Sequence, residues 1–178
     1  MNSDNIRNLV LLTLGEGLPA ITPSFGVALA EAGAVCLEEQ SHSNGVELKV
    51  YGEFTDAFNV HWPDVTDQMR LCWNDYEVTT EYGAYGIAIL LIRDLTGLSI
   101  IERSRKGSGF DFWLGYEDEL PFQNKARLEI SGIRKGDDSI VKARVHQKLK
   151  QTERSKGSFP AYIAVVEFSK PLSHVVKR

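Results

Sequence analysis

Two stretches decide the fold: Gly107-Ser-Gly-Phe-Asp-Phe-Trp-Leu114 and, after an acidic loop, Lys125-Ala-Arg-Leu-Glu-Ile-Ser131. Both read as strands, because their apolar residues recur with a period of two. In the second stretch Lys125, Arg127, Glu129 and Ser131 share one face, and Ala126, Leu128 and Ile130 the other. In the first, Asp111 lies with Gly109 and Trp113, opposite Phe110, Phe112 and Leu114. A carboxylate set among these aromatic residues is costly unless it faces an opening or finds a partner. Gly107-Ser-Gly109 reads as a tight hairpin turn. It follows Arg105-Lys106, but it lacks the phosphate-loop pattern and precedes a strand, not a helix.

Outward from this pair, residues 98–102 form a further strand and residues 76–95 one long helix, closed at Gly97. Its later half, with Ala84, Ile87, Ala88, Leu90, Leu91 and Ile92, is apolar nearly all round and belongs under cover on more than one side. Downstream, Asp137 or Asp138 caps a helix over 139–151, residues 161–168 form an apolar strand, and a basic tail follows. The order is helix, strand, strand, strand, helix, strand.

Upstream, residues 6–14 read as a short helix capped by Ser3 or Asp4, closed over 15–19. Thr22 as N-cap and Pro23 at the first position open a buried helix ending near Gln40. Residues 46–50 alternate as a strand, and a second short strand covers 58–62. Asp64 or Thr66 caps a stretch through Met69, Leu71 and Trp73 that Asn74-Asp75 interrupts.

The 178 residues, 43% hydrophobic and 25% charged, suit a single α/β domain over 1–178. Residues 1–60 form an N-terminal helix-and-strand elaboration, and 75–168 the core. Cys36 and Cys72 each sit in an apolar stretch and read as buried small side chains in a reducing compartment. The first residues carry Asp4 and no basic run, and no stretch approaches the ~18 apolar residues of a membrane span. The expectation is a cytoplasmic protein with no membrane partner.

A net charge of −4 argues against a globally basic nucleic-acid surface. Residues 125–156 are nonetheless clearly positive, which fits either a local polyanion site or a solvated helix face. The four histidines show no ligand spacing, so neither a zinc site nor a Ser–His–Asp triad is expected. Trp62, Trp73 and Trp113 read as core.

Three acids fall at telling places: Glu81 on the long helix, Asp111 on the second core strand and Glu129 on the third. Carboxylates converging from adjacent strands repel unless a cation lies between them, and oxygen-only donors suit Mg²⁺ or Mn²⁺. Each acid also has a local alternative. Asp111 could bond the 107–109 turn or Arg103, Glu129 could pair with Arg127 or Lys125, and Glu81 could complement the helix dipole.

Gly-Ser-Gly-Phe-Asp111 followed by Arg-Leu-Glu129-Ile-Ser131 resembles the two half-motifs of the PD-(D/E)XK, or restriction-endonuclease-like, nuclease superfamily. The resemblance covers roughly residues 75–168 and implies a mixed sheet flanked by helices. It implies that Asp111 and Glu129 hold the metal, that Glu81 completes the site, and that the reaction is phosphodiester hydrolysis. Ser131 stands where that family carries lysine, and no proline precedes Asp111. Lys142 and Lys148 on the following helix, and Arg127 beside Glu129, are the candidate replacements. Two functions follow from the resemblance. One is a Mg²⁺-dependent nuclease touching nucleic acid through the basic 125–156 segment. The other is a catalytically silent nuclease-fold module, of immunity type, that binds a protein partner or a second copy of itself.

Overall fold

The structure, a computed structural model, describes residues 7–153, 157 and 159–178. Among them eight strands form one mixed sheet: β1 (Arg7–Val10), β2 (Val46–Gly52), β3 (Asp56–His61), β4 (Ser99–Arg103), β5 (Phe112–Gly115), β6 (Ala126–Ile133), β7 (Ala161–Glu167) and β8 (Leu172–Lys177). Their spatial order is β1-β3-β2-β8-β7-β6-β5-β4. β4, β5 and β6 make an antiparallel meander, and β7 returns parallel to β6. Such a parallel return needs a crossover, and a helix over Asp138–Thr152 supplies it.

Among the described residues there are four α-helices: α1 (Pro23–Glu39), α2 (Asp67–Cys72), α3 (Tyr76–Thr96) and α4 (Asp138–Thr152), of which α3 and α4 pack on the sheet. Their starts are fixed by side chains that accept orphan backbone N–H groups: Thr22 from Phe25, Thr66 from Met69, Asp75 from Val78, and Asp137 from Ser139 and Ile140. Gly97 closes α3 in the left-handed conformation.

α3 lies between α1 and the sheet, which is why its apolar residues run all the way round. α1 approaches α3 at Gly33 and Gly83, where a Cβ on Gly83 would fall 2.9 Å from Cys36 Sγ. One core, including Leu128, Ile130, Phe112 and Tyr162, fills the α3 side. A smaller cluster of Ile133, Val141, Val145, Ala161, Ile163 and Val165 holds α4 on the opposite face. No helix among the described residues is long and apolar enough to cross a membrane.

Several expectations are corrected. Residues 7–10 are not helical: they form β1, parallel to β3, followed by a 3₁₀ segment over Leu11–Glu16. Ser3 and Asp4, the expected caps, lie outside the described residues. The tail after the last expected strand is β8, inserted between β7 and β2. β6 passes through Gly132 to Ile133 instead of stopping there, and β5 begins one residue after Asp111. Cys72 is exposed at the end of α2, because that helix buries no residue. Trp73 and Trp113 are only partly covered.

Gly132 fixes the distance between α3 and β6, since a Cβ there would lie 2.5 Å from the Thr80 carbonyl oxygen. Gly132→Ala must therefore push the start of α3 off the strand. The expected cost is about 1–3 kcal/mol, seen as a Tm loss of about 2–12 °C in a thermal melt.

Candidate active site

The site forms where β5 and β6 part. Their pairing ends at Phe112–Leu128, whereas β6 continues to Ile133 paired with β7 alone. Asp111 turns its carboxylate into that gap, and Oδ2 accepts the Ile130 N–H at 2.8 Å. The side chain thus takes a ladder bond that β5 no longer offers, leaving no orphan donor on β6. Neither the 107–109 turn nor Arg103 holds this carboxylate. Arg103 instead lies over the rings of Phe25, Tyr85 and Phe112.

Asp111 Oδ1 lies 3.0 Å from the Tyr85 hydroxyl, which is also 3.0 Å from Glu81 Oε1. A phenol carries one proton, so it donates to only one of the two acids at a time. Burial, then the charges of Asp111 and Glu81, push the Tyr85 hydroxyl far up, so it stays protonated. Glu81 therefore joins the site through Tyr85, one turn further along α3, and not as a free first-turn acid.

Glu129 points from β6 toward α4, where Lys148 Nζ donates to Oε1 at 2.6 Å and Gln151 Nε2 at 3.0 Å. Its other oxygen, Oε2, is buried and has no hydrogen-bond partner. Burial and the neighbouring Asp111 charge push the Glu129 carboxyl up to about 7, against the pull of Lys148. Asp111 is raised too, its burial outweighing the Ile130 N–H and Tyr85 bonds.

The expected cations divide. Lys148 is in the site, and Arg144 beside it donates to Ser131 Oγ at 2.7 Å. Lys142 is not. It lies six residues before Lys148, about 240° round the helix, exposed on the side of His174. Arg127 shares the strand face of Glu129 but turns away from it, donating to the Phe159 carbonyl at 2.8 Å. Lys125 pairs with Glu119. The 125–156 segment is therefore not one solvated patch, since Arg127 and Arg134 are buried. Arg154 and Lys156 lie outside the described residues. Tyr85 and Gln151 had no place in the sequence reading. Their signal was spacing: Tyr85 follows Glu81 by one helical turn, and Arg144, Lys148 and Gln151 recur along one stripe.

Two clefts of about 550 and 620 Å³ open on the acids, and both are lined by Glu81, Tyr85, Asp111, Glu129 and Gln151. A third cavity, about 640 Å³ near Asn8, Leu90 and Tyr116, holds none of the expected site residues. Among the described residues no three His, Cys, Asp or Glu side chains form a ready-made metal cage. The donors fit a hard dication nonetheless. An ionised, unpartnered Glu129 Oε2 beside a second carboxylate needs a proton or a cation, and Mg²⁺ is commonly held by one or two carboxylates with water and phosphate oxygens.

Comparison with protein-family models, with curated proteins and with solved structures found no match to this chain.

The raised Glu129 carboxyl favours the folded state at low pH. Its contribution is complete below the unfolded value and is lost as pH rises through about 7. Without divalent ions, the wild type is expected to lose more stability than Glu129→Gln between about pH 5 and pH 8, a difference of about 1–3 kcal/mol. Parallel thermal melts across that range check it, and equal slopes for the two proteins would contradict the assignment.

Proposed function

We propose that this chain is a divergent restriction-endonuclease-like protein that hydrolyses phosphodiester bonds with Mg²⁺ or Mn²⁺ held by Asp111 and Glu129. The observation that carries the reading is the buried, unpartnered Glu129 Oε2 beside Asp111, with the Lys148 ammonium 2.6 Å from the other oxygen. The element order around it supports the same reading: α3, the β4–β5–β6 meander, α4, then β7 parallel to β6.

A dication bound to the two carboxylates supplies Lewis-acid polarisation of the phosphate. The chain's own groups supply the rest. Ile130 N–H and Tyr85 hold the Asp111 carboxylate from two sides, so its oxygens are fixed before any ligand arrives. Lys148 delivers from α4 the positive charge that the family places two residues after the glutamate. Ser131 occupies that position here and is bonded to Arg144 instead. An ammonium at this place stabilises charge that builds on the transferring phosphoryl group. Glu81, held through Tyr85, lies at the mouth of the site, where it can meet a second ion or the attacking water.

One observation favours the second reading, a silent module that binds protein. Lys148 already neutralises Glu129, and the three acids do not form a closed cage.

Titration calorimetry with Mn²⁺ and Mg²⁺, run beside cleavage assays on DNA and RNA, separates the two. Asp111→Asn is expected to abolish ion binding and to lower cleavage by at least about 100-fold. Lys148→Ala is expected to keep Mn²⁺ binding while losing about 100–1,000-fold in rate, and Lys142→Ala to stay near wild type. Neither ion binding at millimolar concentration nor cleavage by the wild type would remove the enzyme reading and leave the protein-binding one.

A further inference from the structure

Arg134 directly follows the last residue of β6 and is only 3% exposed. Among the described residues its guanidinium makes no hydrogen bond. Nε and Nη1 are buried without a partner, and Nη2 lies 3.6 Å from Glu39 Oε2, too far for one. The Cys36 thiol feels the charge, but it donates to the Thr79 carbonyl, and sulfur is a weak acceptor. A buried carboxyl or amine can shed its charge, whereas a guanidinium cannot. We infer that Arg134 is the floor of an anion site, where its unpartnered N–H groups take one oxyanion, a carboxylate or a phosphate group. The inference goes beyond the phosphodiester reading above and does not depend on it.

An arginine that serves only as a structural staple is completed by oxygens at hydrogen-bond distance. Arg127 is held in this way by the Phe159 carbonyl, and Arg144 by Ser131 Oγ. Arg134 has the burial of such a staple without the acceptors. It lines the cleft of about 550 Å³ together with Lys135 and Arg144. It stands five residues beyond Glu129, about 16 Å at the rise of a strand, so the site is separate from the acids. Tyr76, the first residue of α3, lies over the guanidinium with its ring centroid 4.9 Å from Cζ. That residue is 57% exposed, and exposed side chains change rotamer within nanoseconds. Tyr76 therefore lifts to admit the anion from the cleft. Two acids oppose an anion here, Glu39 and, in the cleft wall, Glu77. Both are exposed, so solvent screens them, whereas the buried guanidinium is not screened. Carboxylate and phosphate share the pair of oxygens that the guanidinium fork matches.

The test uses the full chain without divalent ions. Inorganic phosphate and acetate are titrated separately at constant ionic strength, and binding is followed by calorimetry and by thermal melts. The expected result is saturable binding of at least one of them, with a Tm that rises with its concentration. The tighter of the two tells whether a phosphate or a carboxylate group is the ligand, and either supports the site. Tyr76→Ala removes the ring that the anion must lift and is expected to tighten binding by about 2–30-fold. Glu39→Gln removes the competing carboxylate and is expected to tighten it as well. Glu47→Gln, an exposed acid on β2 three strands away from β6, is expected to leave it unchanged. Arg134→Gln is expected to weaken binding at least about tenfold. No saturable uptake of either anion by the wild type and by Tyr76→Ala overturns the inference. So does an Arg134→Gln variant that folds and binds like the wild type. Where Arg134→Gln does not fold, equal affinities of wild type, Tyr76→Ala and Glu39→Gln overturn it. A change in Glu47→Gln as large as in Glu39→Gln marks a general charge effect and overturns it too. None of these outcomes bears on ion binding or cleavage at Asp111 and Glu129, which the calorimetry above decides separately.

Discussion

β5 parts from β6 at Asp111, whose main-chain N–H still donates to the Leu128 carbonyl and whose carboxylate takes the next donor on β6, the Ile130 N–H. That hydrogen bond is the constraint on which the site depends. It allows a strand in the middle of a sheet to lose one neighbour without leaving a buried donor unsatisfied. It anchors a carboxylate at the point where the gap opens, and the gap becomes the junction of the two clefts. Gly132 then lets the start of α3 close on β6, which carries Tyr85 and Glu81 to the same carboxylate.

The electrostatics of the site follow from its position between layers. Glu129 stands on the face of the sheet that α4 covers, whereas Tyr85 and Glu81 come from α3 on the opposite side. Only at the β5–β6 gap can groups from both faces meet. The result is that Asp111 and Glu129 are desolvated, with one lysine for compensation, while Glu81 stays exposed. Lys148 satisfies one oxygen of Glu129 and leaves the other bare. A structural ion pair of this kind is usually completed by further hydrogen bonds. Here the bare oxygen lies beside a second carboxylate, and burial together with that neighbour raises the Glu129 carboxyl.

Much of this was legible along the chain. The alternation through Ala126, Leu128 and Ile130 gave the buried face of β6 and put Glu129 opposite it. Thr22-Pro23, the Asp137-Asp138 pair and Gly97 marked helix ends because capping is local: the donor and acceptor lie within a few residues of each other. The order of three strands, a helix and a fourth strand was legible for the same reason, each element being set by its own periodicity, whereas the strand directions came only from the pairing. β1 and β8 were not. Their short apolar runs are equally compatible with a helix turn or a tail, and only pairing with β3, β2 and β7, distant in sequence, makes them strands.

The sequence by itself determined the mixed order of helices and strands, the two faces of the third core strand, and the placement of Glu129 on that strand, whereas Asp111 stands one residue before its neighbour β5. Tertiary structure alone decided which cation reaches them, because Lys142 and Lys148 differ in their angle about α4 and in their height along it by about 9 Å, and the orientation of α4 is set by packing on Val141 and Val145. It also turned Arg127 toward Phe159 and brought Tyr85 between Glu81 and Asp111. It placed Arg103, Arg105 and Lys106 on one of the clefts beside the acids and Lys135 on the other. The physical reason is the same throughout. Periodicity and capping are short-range and written residue by residue, whereas the convergence of side chains depends on crossing angles, register and close approach between segments far apart in the chain.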